Sequence, residues 1–173
     1  RGMGWRAPIF AHIPLIHGSD GAKLSKRHGA LGVDAYRDMG FLPDAMVNYL
    51  LRLGWGHGDT EFFTREQAIE FFSLDNVGRS PARFDLEKLR GVNTHYLQKL
   101  DAATLYDLVA PHISPTSTSA KDRVIALLPL LQERAKTHLD IVSQLGYLVH
   151  DSVPPISEDA VALLTDEAKS NLL

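Results

Sequence analysis

The sequence predicts a mainly α-helical chain with a small β component, and three observations carry that prediction. Apolar residues recur at helical spacing over much of the chain, as in Leu42, Ala45, Met46, Tyr49, Leu50 and Leu53. Helix-start signals stand ahead of several such stretches: Thr64-Arg65-Glu66-Gln67, Asp85 and Asp101. The clearest strand pattern is confined to Ile9–Ile16, where β-branched and aromatic residues cluster.

Taken in order, Ile9-Phe10-Ala11-His12-Ile13-Pro14-Leu15-Ile16 reads as a short buried strand, with Pro14 at an edge or bulge because it cannot donate to a ladder. Gly18-Ser19-Asp20-Gly21 is a turn, Asp-Gly being suited to a tight reversal. Lys23–Arg27 therefore leaves a hairpin arm as a presented basic loop. The stripe from Leu42 to Leu53 is a helix with Pro43 in its first turn and Gly54 as its stop. Thr64 and Gln67 form a capping box for a helix to about Phe72. Gly78–Arg83 reads as a loop, and Asp85 caps a helix into the Leu89–Leu97 region. Asp101 caps another, with Leu105, Leu108 and Val109 inward. Residues 112–120, rich in Pro, Ser and Thr, read as a linker, with a seam near residues 100–120. Val124–Leu131 follows, then a longer helix with Leu131, Ala135, Leu139 and Val142 at helical spacing. Pro154-Pro155 precedes a last helical stretch, Ser157–Leu173.

Composition narrows the function classes. With 45% hydrophobic and 23% charged residues the chain can bury real cores, which argues against a disordered or fibrous protein. No stretch approaches the roughly 18 consecutive apolar residues that a spanning helix needs. The absence of cysteine removes disulfides and thiolate metal sites and points to a reducing cytoplasm. The net charge of −3 hides an asymmetry: residues 1–30 carry Arg1, Arg6, Lys23, Lys26 and Arg27 against Asp20 alone. That end suits a polyphosphate or a nucleic acid backbone. The eight histidines are scattered without metal-ligand spacing, and His57 reads as a turn residue. Phe62-Phe63 and Phe71-Phe72 read as core around a short helix.

One cluster looks like a chemical site: Gly18-Ser19-Asp20-Gly21-Ala22-Lys23-Leu24-Ser25-Lys26-Arg27-His28-Gly29. Three cations and a hydroxyl sit on a glycine-flanked loop beside a strand. Two lysines three apart can bring both ammonium groups to one polyphosphate, whose charge must be neutralised as its phosphoryl oxygens separate. It is not a P-loop, because Gly21 is followed by Ala22 and Ser25 stands two residues past Lys23.

Lys23-Leu24-Ser25-Lys26-Arg27 resembles the KMSKS signature of class I aminoacyl-tRNA synthetases. The wider stretch from His12 to Ala30 is similar to the bacterial-type glutamyl-tRNA synthetase version. The similarity continues through Tyr36–Ala45, Asn48-Tyr49-Leu50, Leu53-Gly54-Trp55, Ser80–Asp85 and Lys88-Leu89. It covers about residues 8–98; beyond, only the helical character and Arg134-Ala135-Lys136 are shared. Leu24 stands where the signature has methionine, and Arg27 where it has serine, as is usual in this family.

The resemblance implies a ligase that activates glutamate with ATP and transfers it to tRNA(Glu). Lys26 and Lys23 would be catalytic, and Lys23, Leu24, Ser25, Lys26 and Arg27 would bind ATP, which Mg2+ would accompany without a metal site in this chain. Lys26 would stabilise the charge that develops as pyrophosphate leaves. Residues 1–30 would be the end of a Rossmann-type catalytic domain, 31–100 an α/β stem-contact domain, and 101–173 the start of an α-helical anticodon-binding bundle. Arg79, Arg83 and Arg90 are the candidates for tRNA phosphates, against the alternative that Arg83 or Arg90 caps a helix or pairs with Asp85 or Glu87. The partner signature, a His-Ile-Gly-His-like sequence, is missing, and the glutamate pocket is expected upstream of Arg1. The chain is therefore expected to be an internal fragment, inactive alone, from a monomeric cytoplasmic enzyme. Competing readings are a glutaminyl-tRNA synthetase, whose anticodon region is β-barrel, and a non-catalytic tRNA-binding module.

Overall fold

A computed structural model describes residues 2–8, 10–25, 31–115, 117–146 and 148–149. Its order is β1 (Ile16–His17), α1 (Val33–Asp38), α2 (Pro43–Arg52), α3 (Arg65–Phe71), β2 (Ala82–Arg83), α4 (Leu86–Leu97), α5 (Ala102–Val109), α6 (Thr118–Gln132) and α7 (His138–Leu145). Short 3-10 turns at Leu74–Asn76 and Ala110–His112 complete it. The mainly helical expectation holds. No helix among the described residues is long and apolar enough to cross a membrane.

The helix starts follow from local chemistry. Thr64 Oγ1 accepts from the Gln67 amide, and the Gln67 side chain returns a bond to the Thr64 amide. Asp85 accepts from the Glu87 and Lys88 amides, and Asp101 from that of Thr104. Pro43 opens α2 where no amide partner is needed.

Two clusters form the core. Tyr36, Phe41, Met46, Tyr49 and Leu89 make one, with Phe84 packed against it. Leu42, Ala45 and Leu97 join Leu105, Val109, Val124, Leu128, Ala135, Ile141 and Leu145 in the other, so elements on both sides of residues 100–120 share one core. Val92 touches both. The loop between α6 and α7 is stitched to α4 by polar side chains. Buried Asn93 accepts from the Leu42 amide at 2.8 Å and donates to the Lys136 carbonyl at 2.6 Å. Thr94 donates to the Ala135 carbonyl, and Gln98 to that of Glu133.

Several sequence expectations are corrected. Within Ile9–Ile16, only Ile16 enters a strand; Phe10 and Ile13 are 76% and 77% exposed, and Ile9 lies outside the described residues. Strand propensity expresses fit to neighbours, and here pairing reaches only Ile16–His17. Ala82–Arg83, expected as loop, is that partner strand. The linker ends sooner than expected, because Ser117 caps α6 and Ala120 is fully buried. Leu131 and Ala135 do not share a helix with Leu139 and Val142: the chain breaks at 133–137, where Thr137 starts α7 with its own capping box. Leu50 is 47% exposed despite lying on the α2 stripe. Of the four phenylalanines expected in the core only Phe63 is buried; Phe62 stacks on His95, Phe71 stacks on His57, and Phe72 is 48% exposed. Ser157–Leu173 lies outside the described residues.

Two histidines are held by this packing. His138 Nδ1 lies 3.1 Å from the Gly40 carbonyl, which only accepts, so that nitrogen carries the proton. Burial lowers the His138 pKa, the Gly40 contact partly opposing it and His112 adding to it. His95 has a buried Nε2 without a partner among the described residues, and burial, then Lys99, lowers its pKa. Both groups bind protons more weakly folded than unfolded, so the unfolded chain takes up more protons as pH falls below about 6.5. Their contribution to stability is present above that pH and is lost as pH falls through the folded-state values. Urea midpoints should fall between pH 7.5 and 5.5, and a His95→Gln, His138→Gln variant should show a flatter profile there. An equally steep profile in the variant would remove these histidines as the cause.

Candidate active-site loop

The basic loop grows out of a short hairpin. The Gly18 amide donates to the Ala22 carbonyl at 2.9 Å, and the Gly21 amide donates to the Gly18 carbonyl at 3.1 Å. Asp20 accepts from the Ala22 amide at 2.9 Å. Gly21 takes φ +78, a left-handed conformation that glycine adopts without cost. The turn returns the chain along β1, where the Leu24 amide donates to the Ile16 carbonyl and His17 bridges Lys23 in antiparallel fashion.

On its other side β1 pairs in parallel with β2, with His17 opposite Arg83 and Ile16 opposite Ala82. Residues paired across neighbouring strands share a face. Lys23, His17 and Arg83 therefore form one row, while Ile16 and Ala82 lie on the opposite face. The row is cationic at both ends, and Lys23 and Arg83 are exposed. A Cβ on Gly21 would lie 3.6 Å from Arg83 Nη2, so the guanidinium leans on the turn itself. Leu24 is half-buried and faces a cavity shared with Leu31, Tyr36 and Phe84, which ties the loop to the first core cluster.

The expected site residues have mixed placements. Lys23 and Leu24 sit as described, and Ser25 follows directly, half-buried. Lys26 and Arg27 lie outside the described residues. Arg83 joins the Lys23 row. Arg79 lies apart, exposed beside His12 and Pro14. Arg90 contacts Glu87 one turn back, and Lys136 reaches the same carboxylate at 3.5 Å. Arg52, which sits in no motif, and Lys88, a landmark of the family resemblance that was given no role, line a cleft with Arg83. Their helices are amphipathic in the ordinary way, so nothing in the spacing of the two cations shows that they converge with Arg83.

Residues 1–91, more than half of the chain, match the family model described as tRNA synthetases class I (E and Q), catalytic domain. The chain belongs to this family. Among curated relatives of this synthetase chain, glutamate–tRNA ligase 1 of Sphingopyxis alaskensis is 54% identical over 170 residues, covering 95% of the chain and 35% of that protein. Glutamate–tRNA ligase 2 of Rhizorhabdus wittichii is 50% identical over 178 residues, covering 99% of the chain and 38% of the relative. A crystal structure of a glutamate tRNA ligase from Elizabethkingia meningosepticum, in complex with its amino acid, superposes with a TM-score of 0.75 at 28% identity. It matches 98% of this chain with 38% of its own. The chain thus spans well under half the length of the synthetases it matches.

Proposed function

We propose that this chain is an internal part of a glutamate–tRNA ligase, contributing the lysine-rich loop that acts on ATP and a surface that meets tRNA(Glu). The observation that carries the reading is the hairpin that delivers Lys23 beside His17 and Arg83, directly ahead of Ser25 and Lys26, in a member of the class I E and Q family. In the activation step a glutamate carboxylate oxygen attacks the α-phosphorus of ATP, forming an acyl–phosphate bond as the bond to pyrophosphate breaks. Lys26 and Lys23 neutralise the charge gathering on the departing pyrophosphate, Arg27 adds to the field, and Ser25 fixes the loop or bonds a phosphate oxygen. Acyl transfer to the terminal ribose of tRNA then releases AMP.

Mg2+ is expected with ATP. No group of three or more histidine, aspartate or glutamate side chains converges among the described residues, so no donor set for it is found there. The domain reading remains 1–30 for the catalytic end, 31–100 for stem contact and 101–173 for the start of the anticodon-binding bundle, in a monomeric cytoplasmic enzyme. The helices α5, α6 and α7 favour this over the glutaminyl alternative with its β-barrels.

The test is glutamate- and tRNA-dependent ATP–pyrophosphate exchange by the full-length protein beside the isolated 173-residue chain. Exchange by the full-length protein alone is expected. Adenylate synthesis by the isolated chain would overturn its assignment as a fragment lacking the rest of the active site, and no exchange by either would overturn the ligase reading.

A further inference from the structure

Residues 31–42, which hold α1, stand between the ATP loop and the loop that joins α6 to α7. The C-terminal end of α1 is a fixed turn. The Phe41 amide donates to the Tyr36 carbonyl at 3.0 Å, and the Gly40 amide donates to the Arg37 carbonyl at 2.9 Å. With Gly40 at φ +86, this is the paired closure by which a left-handed glycine ends a helix. The Tyr36 and Phe41 rings meet edge to face across it, with centroids 6.0 Å apart. Two backbone groups here find their partners elsewhere, the Gly40 carbonyl and the Leu42 amide.

The α6–α7 loop engages both. His138 Nδ1 donates to the Gly40 carbonyl at 3.1 Å, and Asn93, anchored on the Lys136 carbonyl, accepts from the Leu42 amide at 2.8 Å. The approach is close: a Cβ on Gly40 would stand 3.0 Å from Leu139 Cγ and 3.1 Å from Thr137 Cβ. The loop is itself braced, since the Asp140 carboxylate accepts from the Lys136 and Thr137 amides. A grip of this kind holds turn and loop in one register.

The same residues face the ATP loop on their other side. Leu31 and Tyr36 line, with Phe84, the cavity of about 450 Å³ that Leu24 faces. Tyr36 is therefore shared: its carbonyl belongs to the turn at Gly40, and its ring belongs to the wall behind Leu24. That ring lies 5.7 Å from Phe84, whose amide donates to the His17 carbonyl at 2.8 Å, and His17 bridges Lys23. The cavity leaves Leu24 room to shift, so the position of its wall decides where Leu24 and the neighbouring Lys23 come to rest. A displacement of about 1 Å at groups that act on a reacting centre can cost about 10²-fold in rate.

We infer that His138 is a positioning residue for the ATP loop: by holding the Gly40 carbonyl it fixes α1, and α1 fixes the wall on which Leu24 seats. The inference rests on the ligase reading only for what the loop does to ATP. The helices after residue 100 thereby set the geometry of a loop more than a hundred positions before them.

Hydrogen exchange of the full-length protein, resolved to peptides by mass spectrometry, is compared for wild type, His138→Ala, His138→Asn and Gly40→Ala. The reporter is the Leu24 amide, bonded to the Ile16 carbonyl at 2.9 Å, and the amides of α5 are the reference. His138→Ala should speed exchange in peptides holding Leu24 about three- to tenfold relative to the reference, the factor set by one lost hydrogen bond. His138→Asn should restore it, because the asparagine amide can donate in place of Nδ1. Gly40→Ala should repeat the effect without touching His138, since its Cβ pushes on Thr137 and Leu139 and its φ is strained for alanine. In ATP–pyrophosphate exchange, His138→Ala should raise KM for ATP about three- to tenfold and leave KM for glutamate unmoved. A bond that only stabilises the fold would reduce the amount of active protein and leave both KM values alone. Faster exchange confined to residues 36–42 and 136–140, with Leu24 unchanged, would overturn the inference, and so would an unaltered KM for ATP. A wild-type protein without glutamate-dependent exchange loses the ligase reading, and the Leu24 amide still decides the coupling.

Discussion

Replacing Lys26 with alanine is expected to slow glutamate-dependent ATP–pyrophosphate exchange by the full-length enzyme about 10²-fold or more. Pyrophosphate gains charge as its bond to the α-phosphorus breaks, and an ammonium aimed at that position stabilises the transition state more than bound ATP. The loss should therefore fall on kcat at least as strongly as on KM for ATP. Lys26→Arg keeps the charge but changes a compact, rotating donor into a planar fork, so partial rescue is expected. The measurement is exchange at saturating glutamate and tRNA across an ATP series. If Lys26→Ala leaves the rate within about twofold, the lysine has no part in the charge-developing step, although the family assignment stands.

Asn93→Leu carries the largest expected effect on stability. The Asn93 side chain is fully buried and bridges two distant backbone groups, the Leu42 amide at the entry to α2 and the Lys136 carbonyl between α6 and α7. Leucine has a similar volume but no polar atoms, so it leaves the buried Leu42 amide unpaired at about 1–3 kcal/mol and takes the partner from the part-buried Lys136 carbonyl, while removing Asn93's own bonds. A loss of about 2–5 kcal/mol is expected, a large share of a domain's stability. Little relaxation is available nearby. Gly40 has φ +86, and a Cβ there would stand 3.0 Å from Leu139 Cγ and 3.1 Å from Thr137 Cβ. His138 bonds the Gly40 carbonyl from the same segment. Urea unfolding of the chain with Asn93→Leu, beside exposed Glu70→Gln as a control, measures the effect. A change below about 0.5 kcal/mol would show that water or backbone movement satisfies both groups.

The caps and the turn were legible from residues alone because their chemistry is local. Thr64 with Gln67, Asp85, Asp101, and Gly21 in the 18–21 turn each act within a few positions of themselves, and each appears where the pattern placed it. The family was legible for a related reason: ordered landmarks from His12 to Leu89 all fall within the 1–91 match. The strand and the linker were misread because their outcome depends on distant partners. Ile9–Ile16 has strand composition, yet pairing stops at Ile16–His17. The Ser/Thr run looked unable to bury anything, yet Ser117 starts a helix whose Ala120, Val124 and Leu128 enter the core.

The site divides along the same line. By itself the sequence determined which residues are candidates for phosphate chemistry, since Lys23, Ser25, Lys26 and Arg27 fall within five positions and their spacing can be read directly. Only the tertiary structure decided what stands beside them. Arg83 reaches the Lys23 row through a parallel pairing across more than sixty positions, and Arg52 and Lys88 meet it because α2 packs on α4. Cation spacing along a chain carries no information about convergence. Convergence depends on which apolar faces bury together, and those faces bring side chains far apart in sequence to one cleft.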